Sequence, residues 1–183
     1  MTAATHVALI RGINVGGNNI VPMAALRGAL ETAGFDGVRT YIQSGNVLLS
    51  APKKSEATVA EAVENLLDSE FGVATVVVAA SAATLRAAVS DAPAGFGSEP
   101  ETYHYDVAFL HPKTSSSAAL AAFGIREGVD TAWEGEHVVY FRRLSAQRTK
   151  SRMSSVVGTA PYRHMTIRNW RTTTRLVAML DED

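Results

Sequence analysis

The sequence predicts an α+β fold made of two β-α-β-β-α-β subdomains, with an extra C-terminal helix. Three observations carry this. Residues 1–80 read as six elements in that order, residues 103–183 repeat most of the order, and a Pro-, Gly- and Ser-rich stretch at 91–102 separates them. The 183 residues, 46% of them hydrophobic, suffice for one compact unit or two small lobes. The expected organisation is a first lobe over 1–80, a connector helix and linker over 81–102, and a second lobe with the terminal helix over 103–183.

Residues 6–11 are an apolar run and predict a strand. Residues 22–33 place Met23, Leu26, Ala29, Leu30 and Ala33 on one helical stripe, with Pro22 suited to the first helical position and Gly34 to the stop. Residues 38–43 and 46–50 predict two strands joined by a two-residue turn, Ser44-Gly45. Residues 56–70 predict a helix with Val59, Val63, Leu66 and Leu67 inward and Ser55 as its N-cap. The β-branched run 73–79 predicts the fourth strand. This order is the split βαβ, or ferredoxin-like, unit. Beyond a connector helix at 81–90, the second lobe reads as a strand (103–110), a short helix (115–123), a hairpin (130–133 and 137–142), a helical stretch (146–156), a short strand (165–168) and a terminal helix (170–180). No residue-level repeat links the two halves.

The chain has no cysteine, which excludes disulfides, thiolate catalysis and thiolate metal sites. The opening residues lack a basic region followed by a long apolar run, and no segment is long enough to span a bilayer. A cytoplasmic protein without a membrane partner is expected. The net charge of −1 conceals an asymmetry: residues 1–136 hold eight Lys/Arg against fifteen Asp/Glu, whereas residues 137–180 hold nine Lys/Arg and no acid. Either the basic third meets a polyanion or it docks on the acidic remainder.

The segment 11–22, Arg-Gly-Ile-Asn-Val-Gly-Gly-Asn-Asn-Ile-Val-Pro, is too long and too glycine-rich for a plain connector between strand and helix. Loops of this kind present backbone N–H groups to ligands. In a split βαβ unit the first two strands are parallel, so their C-terminal ends share one edge of the sheet. The first opens into 11–21 and the second into Gln43-Ser44-Gly45-Asn46. With Pro22 first in the helix, Val21 takes the cap position and supplies no acceptor, which leaves first-turn N–H groups for an anion.

Other constellations are weaker. Gly12-x-x-x-x-Gly17 lacks the Lys-Ser/Thr of a phosphate-binding P-loop and continues with Asn18 and Asn19. Ser44 has no histidine near it in sequence to serve as a base. His104 and Asp106 share a strand face and His111 follows, but ordinary sheet hydrogen bonding is the simpler reading, and no metal is expected. Tyr103, Tyr105, Tyr140 and Phe141 lie in strands, yet the RNA-recognition signature is absent, and Tyr140 and Phe141 face opposite ways. Asn169 suits an N-cap and Trp170 a core anchor; Arg168 beside a helix start opposes the dipole, and an acidic residue of the other lobe or an anionic ligand would account for it.

Residues 7–17, Val-Ala-Leu-Ile-Arg-Gly-Ile-Asn-Val-Gly-Gly, followed by Val21-Pro22-Met23 and Leu26-Arg27, then Tyr41-Ile42-Gln43-Ser44-Gly45-Asn46-Val47, and finally Thr166-Ile167-Arg168-Asn169-Trp170 with Thr172, resemble the domain of unknown function 1697 family. The resemblance spans the whole chain. It implies two ferredoxin-like subdomains and a mostly bacterial origin, and supplies no substrate, cofactor or catalytic residue. The chain departs from the family pattern at Asn18 and Ile20, where a lysine is frequent, and at Arg171, where asparagine is frequent.

The resulting expectation is a ligand-binding or regulatory protein that takes a polar, anionic small molecule, a nucleotide or phosphorylated metabolite. Arg11, Asn14, Gly16, Gly17, Asn19, Gln43, Ser44 and Asn46 would line the site, with Arg168 and Asn169 completing it from the second lobe and Lys150 as an outlier. Two alternatives remain at this level: nucleic-acid binding through residues 142–175, and an enzyme using Ser44 or Lys150. Oligomeric state and cofactor are not legible.

Overall fold

The computed structural model describes residues 3–182 and contains two four-stranded antiparallel sheets flanked by helices. The first sheet has β1 (His6–Ile10), β2 (Asp36–Tyr41), β3 (Asn46–Ser50) and β4 (Val77–Ser81) in the order β2-β3-β1-β4. The second has β5 (Tyr103–Leu110), β6 (Asp130–Glu134), β7 (Val138–Leu144) and β8 (Met165–Asn169) in the order β6-β7-β5-β8. The orders correspond strand for strand, so the α+β class and the two similar subdomains follow as expected. By their internal contacts the residues up to Arg86 group with those from Arg175 onward, and Ala87–Thr174 form a second unit.

In the first unit α1 (Met23–Thr32) buries Met23, Leu26 and Leu30, and α2 (Glu56–Phe71) buries Val59, Val63, Leu66 and Leu67. They pack on Ala8, Ile10, Val47, Leu49, Val77 and Ala79, the residues of alternate strand positions that share one sheet face. Ser55 caps α2 by accepting from the Thr58 amide, as its sequence position predicts.

Several boundaries differ from expectation, and three of the differences shape the edge where β1 and β2 end. Helix α1 starts at Met23, and Pro22 is itself the N-cap, with extended ψ and no side-chain acceptor. The turn between β2 and β3 spans four residues, 42–45, because Ile42 adopts a positive φ of 49° and Asn46 Nδ2 donates to Tyr41 O and Ser44 Oγ, gathering Gln43 into the turn. Strand β4 begins at Val77. Before it the Val73 amide is tied to Leu67 O and the Thr75 hydroxyl to Arg11 O, so the register with β1 opens only at Ile10↔Val77.

In the second unit α4 (Ser116–Ala122) packs Ala119, and the following Phe123, against Ala108, Val139 and Phe141 of the sheet, with Phe123 and Phe141 rings 5.3 Å apart. The helix expected at 146–156 is replaced by two short 3-10 turns, Ser145–Lys150 and Met153–Val156, and a third, Pro161–His164, follows them. Only Met153 and Val156 are buried between 146 and 156, too few for an α-helical stripe. Asp130 anchors this segment: its Oδ2 accepts from the Arg126 and Arg152 amides at 3.0 and 2.8 Å. The linker 91–102 lies within the second unit. Its Phe96 meets Tyr105, Trp133, Tyr140 and Trp170 edge-on, at centroid distances of 4.9, 5.9, 5.3 and 5.0 Å. Helix α3 (Ala82–Ser90) and terminal helix α5 (Trp170–Leu180) complete the chain. No helix among the described residues is long and apolar enough to cross a membrane.

Candidate functional site

Strand β3 lies between β1 and β2 and is antiparallel to both, so β1 and β2 end at the same edge. The loops that follow them meet there. The Ile10 amide donates to Gly45 O at 2.8 Å, and Asn14 Nδ2 donates to Gln43 O at 2.9 Å. A Cβ on Gly45 would stand 2.9 Å from Ile10 Cβ and from the Ile13 side chain, so only glycine lets the turn close on the loop.

Within the first loop, residues 14–19 form a miniature hairpin. Val15 and Asn18 pair as an isolated bridge, and Gly16 and Gly17 both take positive φ, the pattern of a type I′ turn. Asn14 is the hub. Its Nδ2 also reaches Val21 O, and its Oδ1 accepts from the Val21 amide at 2.8 Å. Asn19 Nδ2 donates to Gly12 O at 3.2 Å.

The eight first-unit residues expected at the site therefore converge, but they divide by role. Asn14, Asn19 and Asn46 spend their carboxamides on backbone and neighbouring side chains, and Asn46 is fully buried; these three build the edge. Gly16, Gly17 and Gln43 are exposed, and Arg11 and Ser44 are half-buried. Exposed Val15, Ile20 and Ile42 add an apolar rim. The edge adjoins the start of α1, whose cap residue makes no side-chain hydrogen bond and whose first turn has no acid. The first unit's histidine, His6, stands at the opposite end of β1 from the loop edge.

Lys150, Arg168 and Asn169 belong to the second unit. Lys150 is exposed at the end of the first 3-10 turn. Arg168 is buried and donates to Thr166 Oγ1 at 2.7 Å and Ile167 O at 3.0 Å, and burial pushes its guanidinium down to about 10. Asn169 caps α5 by accepting from the Thr172 amide at 2.7 Å, as its position predicts.

The basic stretch 142–175 is partly committed. Arg142 stacks over Tyr103 and Trp133, Arg143 pairs with Asp106 at 3.1 Å, and Arg175 pairs with Glu182. Arg148, Lys150, Arg152, Arg163 and Arg171 are exposed. Sequence reasoning passed over a group formed by Tyr103, Tyr105, Trp170 and Arg171, which line a cavity in this unit. The available signal was Phe96, an aromatic inside a Pro/Gly/Ser linker, which marks a linker that folds back on its own sheet.

Two antiparallel sheets of matching strand order, with a loop edge built on β1 and β2, define an α+β protein of duplicated split βαβ design. The chain belongs to the family described as "Protein of unknown function (DUF1697)", which matches residues 3–140. The third motif, 166–170, lies beyond that match. Among solved structures the chain is similar to conserved bacterial protein SP0830 from Streptococcus pneumoniae, with TM-score 0.80 and 25% identity over 98% of this chain and 99% of that one. No curated protein matches the chain.

Proposed function

We propose that the protein binds a polar, anionic small molecule at the edge formed by residues 11–22 and 43–46, and acts as a binding or regulatory protein. One observation carries the reading: the first turn of α1 has neither a side-chain cap nor an acid, and it opens beside the pinned, glycine-bearing loops. Unsatisfied N–H groups at the positive end of a helix favour an anion. Arg11, the Gly16-Gly17 tip and Gln43 are the groups placed to contact it, while Asn14, Asn19 and Asn46 hold the shape.

Thermal shift with inorganic phosphate, pyrophosphate and nucleotides tests the reading, since a ligand of the native state raises its apparent stability. Ala25 is exposed at the third helical position of α1. The substitution Ala25→Glu places a carboxylate where the anion would sit. It is expected to raise intrinsic stability by about 0.3–1 kcal/mol through the helix dipole and to abolish the ligand-induced shift. A ligand-induced shift that survives both Ala25→Glu and Arg11→Ala removes the anion from this edge.

A further inference from the structure

The second unit holds a cavity that the loop-edge reading does not use. Its volume is about 570 Å³, within the roughly 300–1,000 Å³ typical of small-molecule sites. It lies where β8 gives way to α5, alongside the first residues of β5. Three rings line it, Tyr103, Tyr105 and Trp170, and so do His104, Asp106 and Arg171. Gly97 sets the position of one wall, because a Cβ there would fall inside the Trp170 indole.

The polar groups around the cavity are unevenly satisfied. Tyr105 is 6% exposed, and its hydroxyl is buried with no hydrogen-bond partner among the described residues. A buried tyrosine hydroxyl normally finds a partner, so this one points to a group that the described residues do not provide. Asp106 is 8% exposed and faces Arg143; burial pushes its carboxyl up, and Arg143 and His104 pull it back in part. His104 Nδ1 is 2.8 Å from Ser145 Oγ. Arg171 is exposed, and its guanidinium makes no ion pair among the described residues. The cavity thus combines aromatic rings, a buried hydroxyl and a cation at the helix start.

We propose that this cavity binds a nucleoside monophosphate, its base stacked against the partly exposed Tyr103 and Trp170 rings and its phosphate paired with Arg171. Aromatic faces accept any base by stacking, and the guanidinium fork matches phosphate oxygens. The Tyr105 hydroxyl supplies a hydrogen bond to the polar edge of the base. The cavity is lined by second-unit residues, and its assignment does not depend on the loop-edge reading.

Trp133 and Trp170 are the chain's two tryptophans, so a Trp133→Phe variant reports on the cavity through Trp170 fluorescence. Titration with AMP, GMP, CMP and UMP is expected to give saturable quenching with at least one of them. Adenosine quenches more weakly, and inorganic phosphate not at all. Arg171→Ala weakens the monophosphate about tenfold and leaves the nucleoside unchanged, and Tyr105→Phe weakens both several-fold. Calorimetric titration of the unaltered chain gives the same comparison where Trp133→Phe fails to fold. The assignment is overturned by no binding of any of the four at millimolar concentration, or by binding indifferent to Arg171→Ala and Tyr105→Phe. Loss with Arg11→Ala in place of Arg171→Ala also overturns it and transfers the nucleotide to the loop edge. Binding of an aromatic carboxylate such as indole-3-acetate, with none of the nucleotides, overturns the ligand class.

Discussion

At the scale of single residues, Asn14 shows how one side chain can set a loop. Its φ of 56° belongs to the left-handed region that asparagine tolerates better than most residues, and its carboxamide bonds Val21 in both directions while reaching Gln43 O across the edge. Asn14→Ala removes all three bonds and is expected to cost about 1–3 kcal/mol in urea unfolding. Asn14→Asp is the sharper probe. It keeps the acceptor for the Val21 amide but turns a carboxylate oxygen toward the carbonyls of Val21 and Gln43. At neutral pH it is expected to be less stable than Asn14→Ala, and to recover part of the loss once the carboxyl is protonated. Equal stability of the two variants across pH would show that the donor half of the carboxamide does not matter.

At the scale of elements, what the sequence made legible follows from periodicity and from chain distance. Strands β1 and β3 stand out as short apolar runs bounded by turn residues, and helices α1 and α2 show their period in consecutive residues, so all four were readable. The meeting of the two loops was readable too, because the split βαβ topology alone brings those strand ends to one edge. The role of Asn14 was not, because its partner Gln43 lies 29 residues away and a carboxamide gives no sign of whether it faces a ligand or a carbonyl. Nor were the 3-10 turns over 145–164, where apolar residues are too sparse to carry a period. The docking of α5 belongs to the same class of hidden contacts: Arg39 on β2 donates to Met179 O at 2.6 Å and to Glu182 O at 2.9 Å, capping the carbonyl end of the helix. A cation there complements the dipole as well as the unpaired carbonyls. Arg39→Ala is expected to cost about 1–2 kcal/mol and to raise hydrogen exchange first in residues 176–180. Arg39→Lys restores part of the stability, since a single ammonium keeps the charge but not the two-pronged geometry.

At the scale of the whole molecule, pH is the most direct handle on stability, and three groups set its direction. Burial pushes His6 below its ordinary 6.5, although the Glu56 charge and a backbone bond near Lys54 oppose it. The native state therefore prefers the neutral ring, and the unfolded chain takes up its proton first. Stability from this group is complete above about pH 6.5 and falls as the pH drops from there through the native value. Burial also acts to raise Glu56, but hydrogen bonds from the Thr84 hydroxyl and from Ser81, with His6 nearby, outweigh it and hold the carboxyl below its ordinary 4.5. Its contribution is present above 4.5 and is lost as the pH falls through the native value. Asp106 runs the other way: burial raises its carboxyl above 3.8, so acidification relieves a charge the native state holds at a cost. The urea midpoint is accordingly expected to fall in two stages on acidification, the first beginning near 6.5 and the second below 4.5. His6→Gln flattens the first stage. Glu56→Gln lowers stability at neutral pH and flattens the second, and Asp106→Asn steepens the acid decline. A midpoint that holds level from pH 7 to 5 in the unaltered chain would show that His6 titrates alike in the folded and unfolded states, and that the buried end of β1 does not govern how this protein responds to acid.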